Sequence, residues 1–231
     1  MAMLASEIIT EAREFHTSFD ELRHPTTMLL RALHRGEARF VNEVANIAPN
    51  AMAVDLVYDE AAIAAGILGG ALTIPVFHSL LPTAILVTPN GIFPVSIIED
   101  EQSGGGRALK IRLVGRSLYI AQPTAFQDEM PTAISDTIQN YSYFKDATAL
   151  RITYVPRPEV ISTIGATLVT PDEARMYLQG ELVKFMANRT PALGSDKTAL
   201  MADAMMMQDD VISNYAHRSG GETRWYVSDV G

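Results

Sequence analysis

The chain has five histidines, His16, His24, His34, His78 and His217, and none stands beside another histidine or an acid at a metal-binding spacing such as HxH or HExxH. There is no cysteine, which removes thiolate metal sites, disulfides and a cysteine nucleophile together. A reducing compartment is the simplest expectation. Gly194-Ser195-Asp196-Lys197-Thr198 ends like a phosphate loop, but the GxxxxGK[ST] frame is absent and a helical pattern precedes it, so it reads as a helix cap and linker. Gly66-Ile67-Leu68-Gly69-Gly70 lacks the last glycine of a dinucleotide fingerprint and the strand before it. No GxSxG elbow occurs. Two acidic groups, Asp55 with Asp59 and Glu60, and Glu99 with Asp100 and Glu101, are the places where carboxylates could gather Mg²⁺ for phosphoryl chemistry. The second abuts Gly104-Gly105-Gly106 and reads more simply as a solvated loop tip. No catalytic residue, metal or cofactor is therefore expected.

Two features suit contact with other molecules. Met201, Met205, Met206 and Met207 cluster near the C-terminus, where flexible thioethers make either an adaptable partner surface or a core-facing stripe, with Asp203, Asp209 and Asp210 making the opposite face acidic. Trp225, the single tryptophan, stands with Tyr226 and Val227 just after Gly220 and Gly221. Aromatics in such a tail are candidate anchors on a neighbour, or dock back on their own domain. Met201, Met205, Met206, Trp225, Tyr226 and Val227 are the candidate partner-contact residues.

The elements that must carry these residues follow from periodicity. Leu4, Ile8, Ile9, Ala12 and Phe15 repeat at three and four, opposite Glu7, Glu11 and Glu14, which predicts a first helix ending near His16. After Thr17 to His24, Pro25 suits the first turn of a second helix. Its apolar stripe is Met28, Leu29, Ala32, Leu33, Gly36, Phe40, Val41 and Val44, with Arg31, Arg35, Glu37, Arg39 and Glu43 outward. Together they make an αα-hairpin. Ala84 to Val87 and Phe93 to Ile98, joined by Pro89-Asn90-Gly91, predict a β-hairpin, and Leu109 to Leu113 with Leu118 to Ile120 around Gly115-Arg116-Ser117 a second pair. Ala147 to Pro156 alternates as another strand. Thr170-Pro171-Asp172-Glu173 has the form of a capping box opening a helix whose face is Ala174, Tyr177, Leu178, Leu182 and Phe185.

The expected architecture is α+β: a helical bundle, the N-terminal αα-hairpin plus a C-terminal helix, with an inserted antiparallel β domain and an extended C-terminal arm. The expected divisions are residues 1–50 for the hairpin, 51–160 for the β-rich insert, 161–190 for the helix completing the bundle, and 191–231 for the arm with its Met-rich helix. The apolar run Ala61 to Leu86 is broken by glycines and prolines, which favours short buried or interface-facing pieces over a membrane span. The N-terminal residues lack a basic segment followed by an apolar one, so the protein is expected not to be secreted. The sequons at Asn140 and Asn188 are accordingly expected to stay unmodified.

Of 231 residues, 48% are hydrophobic, and 27 Asp and Glu stand against 18 Lys and Arg for a formal charge of −9. That balance argues against an extended surface that grips nucleic acid. The order of features then resembles a family. Leu29-Leu30-Arg31-Ala32-Leu33 with Glu37, Arg39 and Phe40, Tyr154-Val155-Pro156-Arg157-Pro158, and Thr170-Pro171-Asp172-Glu173-Ala174 through Met186-Ala187-Asn188-Arg189 look like the head-to-tail adaptor (connector, neck) proteins of tailed bacteriophages. The chain departs from that pattern at His34-Arg35 and over Ala51 to Leu81. The resemblance implies a ring of copies of the chain itself, commonly twelve, made in the host cytoplasm and placed in the virion neck. It would touch the portal protein on one side and tail, terminator or nozzle proteins on the other. Double-stranded DNA would pass through without specific binding, and no membrane would be involved. Another virion part, such as a tail terminator or minor capsid subunit, is the nearest alternative, with a carboxylate and Mg²⁺ enzyme further off.

Overall fold

The computed structural model of the chain describes residues 3–68, 70–98, 109–120, 143–218 and 226–227. They divide into two units, Met1–Met52 with Arg157–Gly221, and Ala53–Pro156 with Glu222–Gly231.

The first unit is helical. Helix α1, Ala5–Glu14, buries Ala5, Ile8, Ile9 and Ala12, as its period requires. Leu4 at its N-cap has no side-chain acceptor to offer; instead the amides of Ala5 and Ser6 donate to the carbonyls of Ala166 (3.0 Å) and Ile164 (2.9 Å), satisfying donors that a helix start leaves without partners. Helix α2, Thr26–Ile47, follows Pro25. Glu21 caps it by accepting from the amide of Thr26 at 2.9 Å, and that bond, first among its causes, holds the Glu21 carboxyl below its ordinary pKa. The short α3, Pro49–Met52, ends this segment. After the sheet, the chain returns through a 3-10 turn, Asp172–Ala174, into α5, Arg175–Arg189. A second 3-10 turn, Pro191–Leu193, and Gly194 at φ 53° reverse the chain into α6, Asp196–Arg218. Phe40 of α2 is fully buried, with its ring centroid 5.1 Å from that of Tyr177 on α5 and 5.6 Å from that of Tyr215 on α6. Such aromatic contacts add directional preference to area burial and tie the three helices at one point.

The second unit is a sheet with a helix on its apolar face. Its strands are β1 (Val54–Asp59), β2 (Leu72–Thr73), β3 (Phe77–Leu80), β4 (Thr83–Thr88), β5 (Gly91–Ile98), β6 (Leu109–Val114), β7 (Ser117–Ile120), β8 (Ala149–Pro156) and the two-residue β9 (Tyr226–Val227). β3 and β4 run end to end along one edge of β8, with Leu81 bridging by donating to the carbonyl of Thr153, while β1 pairs along the other edge. On their far side β4 pairs with β5 and β3 with β9; the order then continues from β5 through β6 and β7 to β2. Two hairpins follow directly from turn chemistry. Pro89-Asn90 closes β4 on β5, and Gly115, at φ 60°, with Arg116 closes β6 on β7. Pro94 sits where β5 runs past the pairing of β6, which begins at Val95, so its missing N–H breaks no bond there. Helix α4, Glu60–Ile67, is capped by Asp59 and adds Ile63 and Ile67 to a core of Leu86, Val95, Ile97, Ile111, Leu118, Leu150 and Ile152.

The fold is α+β, but the expected helical bundle with an antiparallel β insert and an extended arm is corrected in three respects. The sheet is mixed, because β5 and β6 are parallel, with Val95 opposite Leu109 and Ile98 opposite Arg112. It is a nine-stranded sheet with its own helix and core rather than an appendage of a bundle. Alternating apolar residues specify which side of a strand is buried, and leave partner and direction unspecified. The segment expected as an arm contains α6, a 23-residue helix whose stripe Leu200, Ala204, Val211 and Tyr215 is buried in the helical unit. Two local expectations also change. Thr170 does not cap the returning helix, since no side-chain cap is formed there. Glu37, expected outward, is buried (1% exposed) and accepts from the amides of Val169 (2.8 Å) and Thr170 (3.3 Å) and from the Thr170 hydroxyl (3.4 Å).

Candidate functional site

Helix α5 runs between α2 and α6, and its outward side floors a cavity of about 580 Å³. Glu181 is at its centre. Arg39 of α2 donates to it at 2.9 Å, Gln208 of α6 at 2.7 Å and Lys184, one turn on, at 3.4 Å, while Lys184 also donates to Gln208 at 2.7 Å. At the other end the Tyr177 hydroxyl donates to Glu43 at 3.0 Å; burial first, then the Glu43 carboxylate, pushes the phenol pKa upward. A phenol held that way remains a donor at neutral pH. The pairings use the groups on one another, so this cavity reads first as a polar clasp across three helices.

A second cavity, about 330 Å³, has a different character. Its lining includes Pro25, Met28 and Phe185, with Arg31, Arg35 and Arg189 around them. The Arg189 guanidinium lies 4.5 Å from the Phe185 ring centroid and donates to Met28 Sδ at 3.3 Å. Arg31 and Arg35, four residues apart on α2, share a face. Among the described residues no carboxylate lies within ion-pairing distance of any of the three. Arg175 is a contrast: it holds Glu7 at 3.0 Å, Glu11 at 2.6 Å and Asp172 at 3.1 Å, tying α1 to the start of α5.

Of the residues singled out from sequence, Met201 is partly exposed, and Met205 and Met206 are 49% and 59% exposed on α6. Met205 and Met206 lie outside its buried stripe, on the exposed side that also carries Asp203, Asp209 and Asp210, so the acids share their side and are not opposite them as expected. Tyr226 and Val227 form β9 opposite Leu80 and Ser79 of β3, in the other unit, so the structure does not join them to the methionines in one unit. Trp225 lies outside the described residues, as do Gly69, Glu99 to Gly106, the Asn140 sequon and Gly220-Gly221. The first acidic group is occupied locally: Asp55 accepts from the Thr153 hydroxyl at 2.6 Å and stands 3.8 Å from Arg151, and Asp59 caps α4 through the Ala62 amide at 2.9 Å. Among the described residues no three His, Asp or Glu are grouped to hold a metal ion, and no helix is long and apolar enough to cross a membrane. His24 is buried, with Nε2 2.9 Å from the Thr190 hydroxyl, and burial lowers its pKa.

Sequence reading missed the arginine cavity. Arg31 and Arg35 are visible there as an outward pair, but Arg189 joins them only through the packing of α5 on α2. Compared with known proteins, the chain matches no protein-family model, and no curated protein is significantly similar to it.

Proposed function

We propose that the chain is a structural subunit of a bacteriophage virion, a head-to-tail adaptor that stacks as a ring on the portal and lines part of the channel through which DNA passes. The observation that carries this reading is the division of α6 into two sides. Leu200, Ala204, Val211 and Tyr215 complete the helical core, leaving Met205 and Met206 exposed among Asp203, Asp209 and Asp210. Exposed thioethers on a rigid helix provide an adaptable apolar contact for a neighbour. The net charge of −9 suits a channel wall that phosphates pass without adhering. The resemblance in the order of features from about Leu4 to Arg189 supplies the family. Negative-stain images of the purified chain mixed with its cognate portal ring test the reading. A second ring stacked coaxially on the portal is the expected result. A small closed oligomer that leaves the portal bare would overturn it.

A further inference from the structure

The cavity rimmed by Arg31, Arg35 and Arg189 has a counterpart elsewhere on the same unit. On α6, Asp203, Met206 and Asp210 are separated by three and four residues and so lie on one side of the helix, a protruding thioether between two carboxylates. All three are exposed, and among the described residues neither aspartate has a cation within ion-pairing distance. The cavity offers the reverse: an apolar floor of Met28 and Phe185 with guanidinium groups at its rim. Its volume, about 330 Å³, is at the small end of pockets that hold a ligand, which suits one anchoring side chain and its flanks.

We propose that the occupant is a second copy of this chain, which places Met206 over the Met28 and Phe185 floor and sets Asp203 and Asp210 against the arginines. Charge complementarity selects this partner. The three arginines and the two aspartates, unmatched among the described residues, stand on separate patches of the helical unit, and juxtaposing opposite charges across an interface fixes its register. Because donor and acceptor patches differ, each subunit gives one and receives one. Contacts of that head-to-tail kind close into rings when the rotation permits and otherwise extend as filaments. The inference rests on the adaptor reading for its ring, and the contact itself can be tested apart from it.

The absence of natural cysteine makes cross-linking clean. Thr27→Cys on the exposed rim of the cavity and Met206→Cys on α6 are made in separate full-length chains, mixed and oxidised. A disulfide-linked pair is expected from the mixture, and neither variant alone should yield one. In sedimentation, Arg35→Glu should weaken self-association by about tenfold, and Asp210→Arg in the same chain should recover it, as a buried or half-buried charge pair predicts. No cross-link, a chain that remains monomeric at every concentration, or full association by Arg35→Glu overturns the contact. If rings still form on the portal in that case, the adaptor reading survives without it. A cross-linked pair from a protein that assembles only into open filaments and ignores the portal leaves the contact standing and removes the adaptor reading.

Discussion

Glu37 illustrates what a single residue hides. Its position fits the inward stripe of α2, between Leu33 and Val41 at steps of four, yet its charge and its neighbours Arg35 and Arg39 argue for the solvent side. Carboxylates are rarely fully buried without partners, and here the partners are backbone amides 132 and 133 residues away, which no local pattern announces. Burial raises its pKa, against the opposing pull of those bonds. For a carboxyl raised in the folded state, the stabilising contribution is complete below the unfolded value of 4.5 and is lost as pH rises through the folded value. Glu37→Gln keeps an acceptor for Val169 and carries no charge. Its unfolding midpoint in urea should therefore exceed that of the natural chain at pH 7 and converge with it below pH 4.5. A variant less stable at pH 7 than at pH 4.5, relative to the natural chain, would contradict the burial of a charge at this site.

Between elements, the separation of α5 and α6 is set by a glycine. A Cβ at Gly180 would lie 2.8 Å from the carbonyl oxygen of Ala204 and 3.2 Å from Gln208 Cγ. The first neighbour is backbone and cannot swing away. Helix propensity alone favours alanine over glycine by about 1 kcal/mol in a helix interior, whereas overpacking a fitted contact costs about 1–3 kcal/mol. Gly180→Ala should thus lower stability in urea unfolding despite its better propensity; a gain would show the two helices to be further apart. The same scale explains which elements were legible. The β4–β5 and β6–β7 hairpins announce themselves through Pro89-Asn90 and Gly115-Arg116, because turn residues act locally. Parallel pairing of β5 with β6 leaves no such mark, and neither does the laying of β3 and β4 along β8, whose residues lie some seventy positions away. The capping-box reading at Thr170 failed because its hydroxyl is engaged by Glu37, a tertiary contact that outweighs a local motif. Where a candidate site was legible it was by type: the methionines were recognisable as a group, and their exposure on α6 depended on Leu200, Ala204 and Tyr215 supplying the buried stripe instead.

Over the whole molecule, charge sets the affinity the protein can have for duplex DNA. The last 37 residues alone hold six acids, Asp196, Asp203, Asp209, Asp210, Glu222 and Asp229, against Lys197, Arg218 and Arg224, and the chain as a whole is at −9. Affinity for duplex DNA comes largely from counterions released as Lys and Arg neutralise phosphates, with a log-log salt slope of about −0.9 per contact. Arg31, Arg35 and Arg189 are the concentration of unmatched positive charge at the cavity on α2 and α5. If all three met phosphates, the slope would reach only about −2.7, against a background of repulsion from the acidic remainder. The chain is therefore expected to show no binding to a fluorescent duplex at physiological salt up to about 100 μM, the weak limit of ordinary non-specific DNA binding. Arg35→Glu should leave that null result as it is while weakening self-association. Micromolar affinity with a slope steeper than −3 would mean that more cations than this cavity holds converge on the backbone, and a DNA-gripping protein would replace the proposed passive channel. Separating the two outcomes needs only one titration repeated at several salt concentrations, since the slope counts the phosphates engaged independently of how tightly they are held.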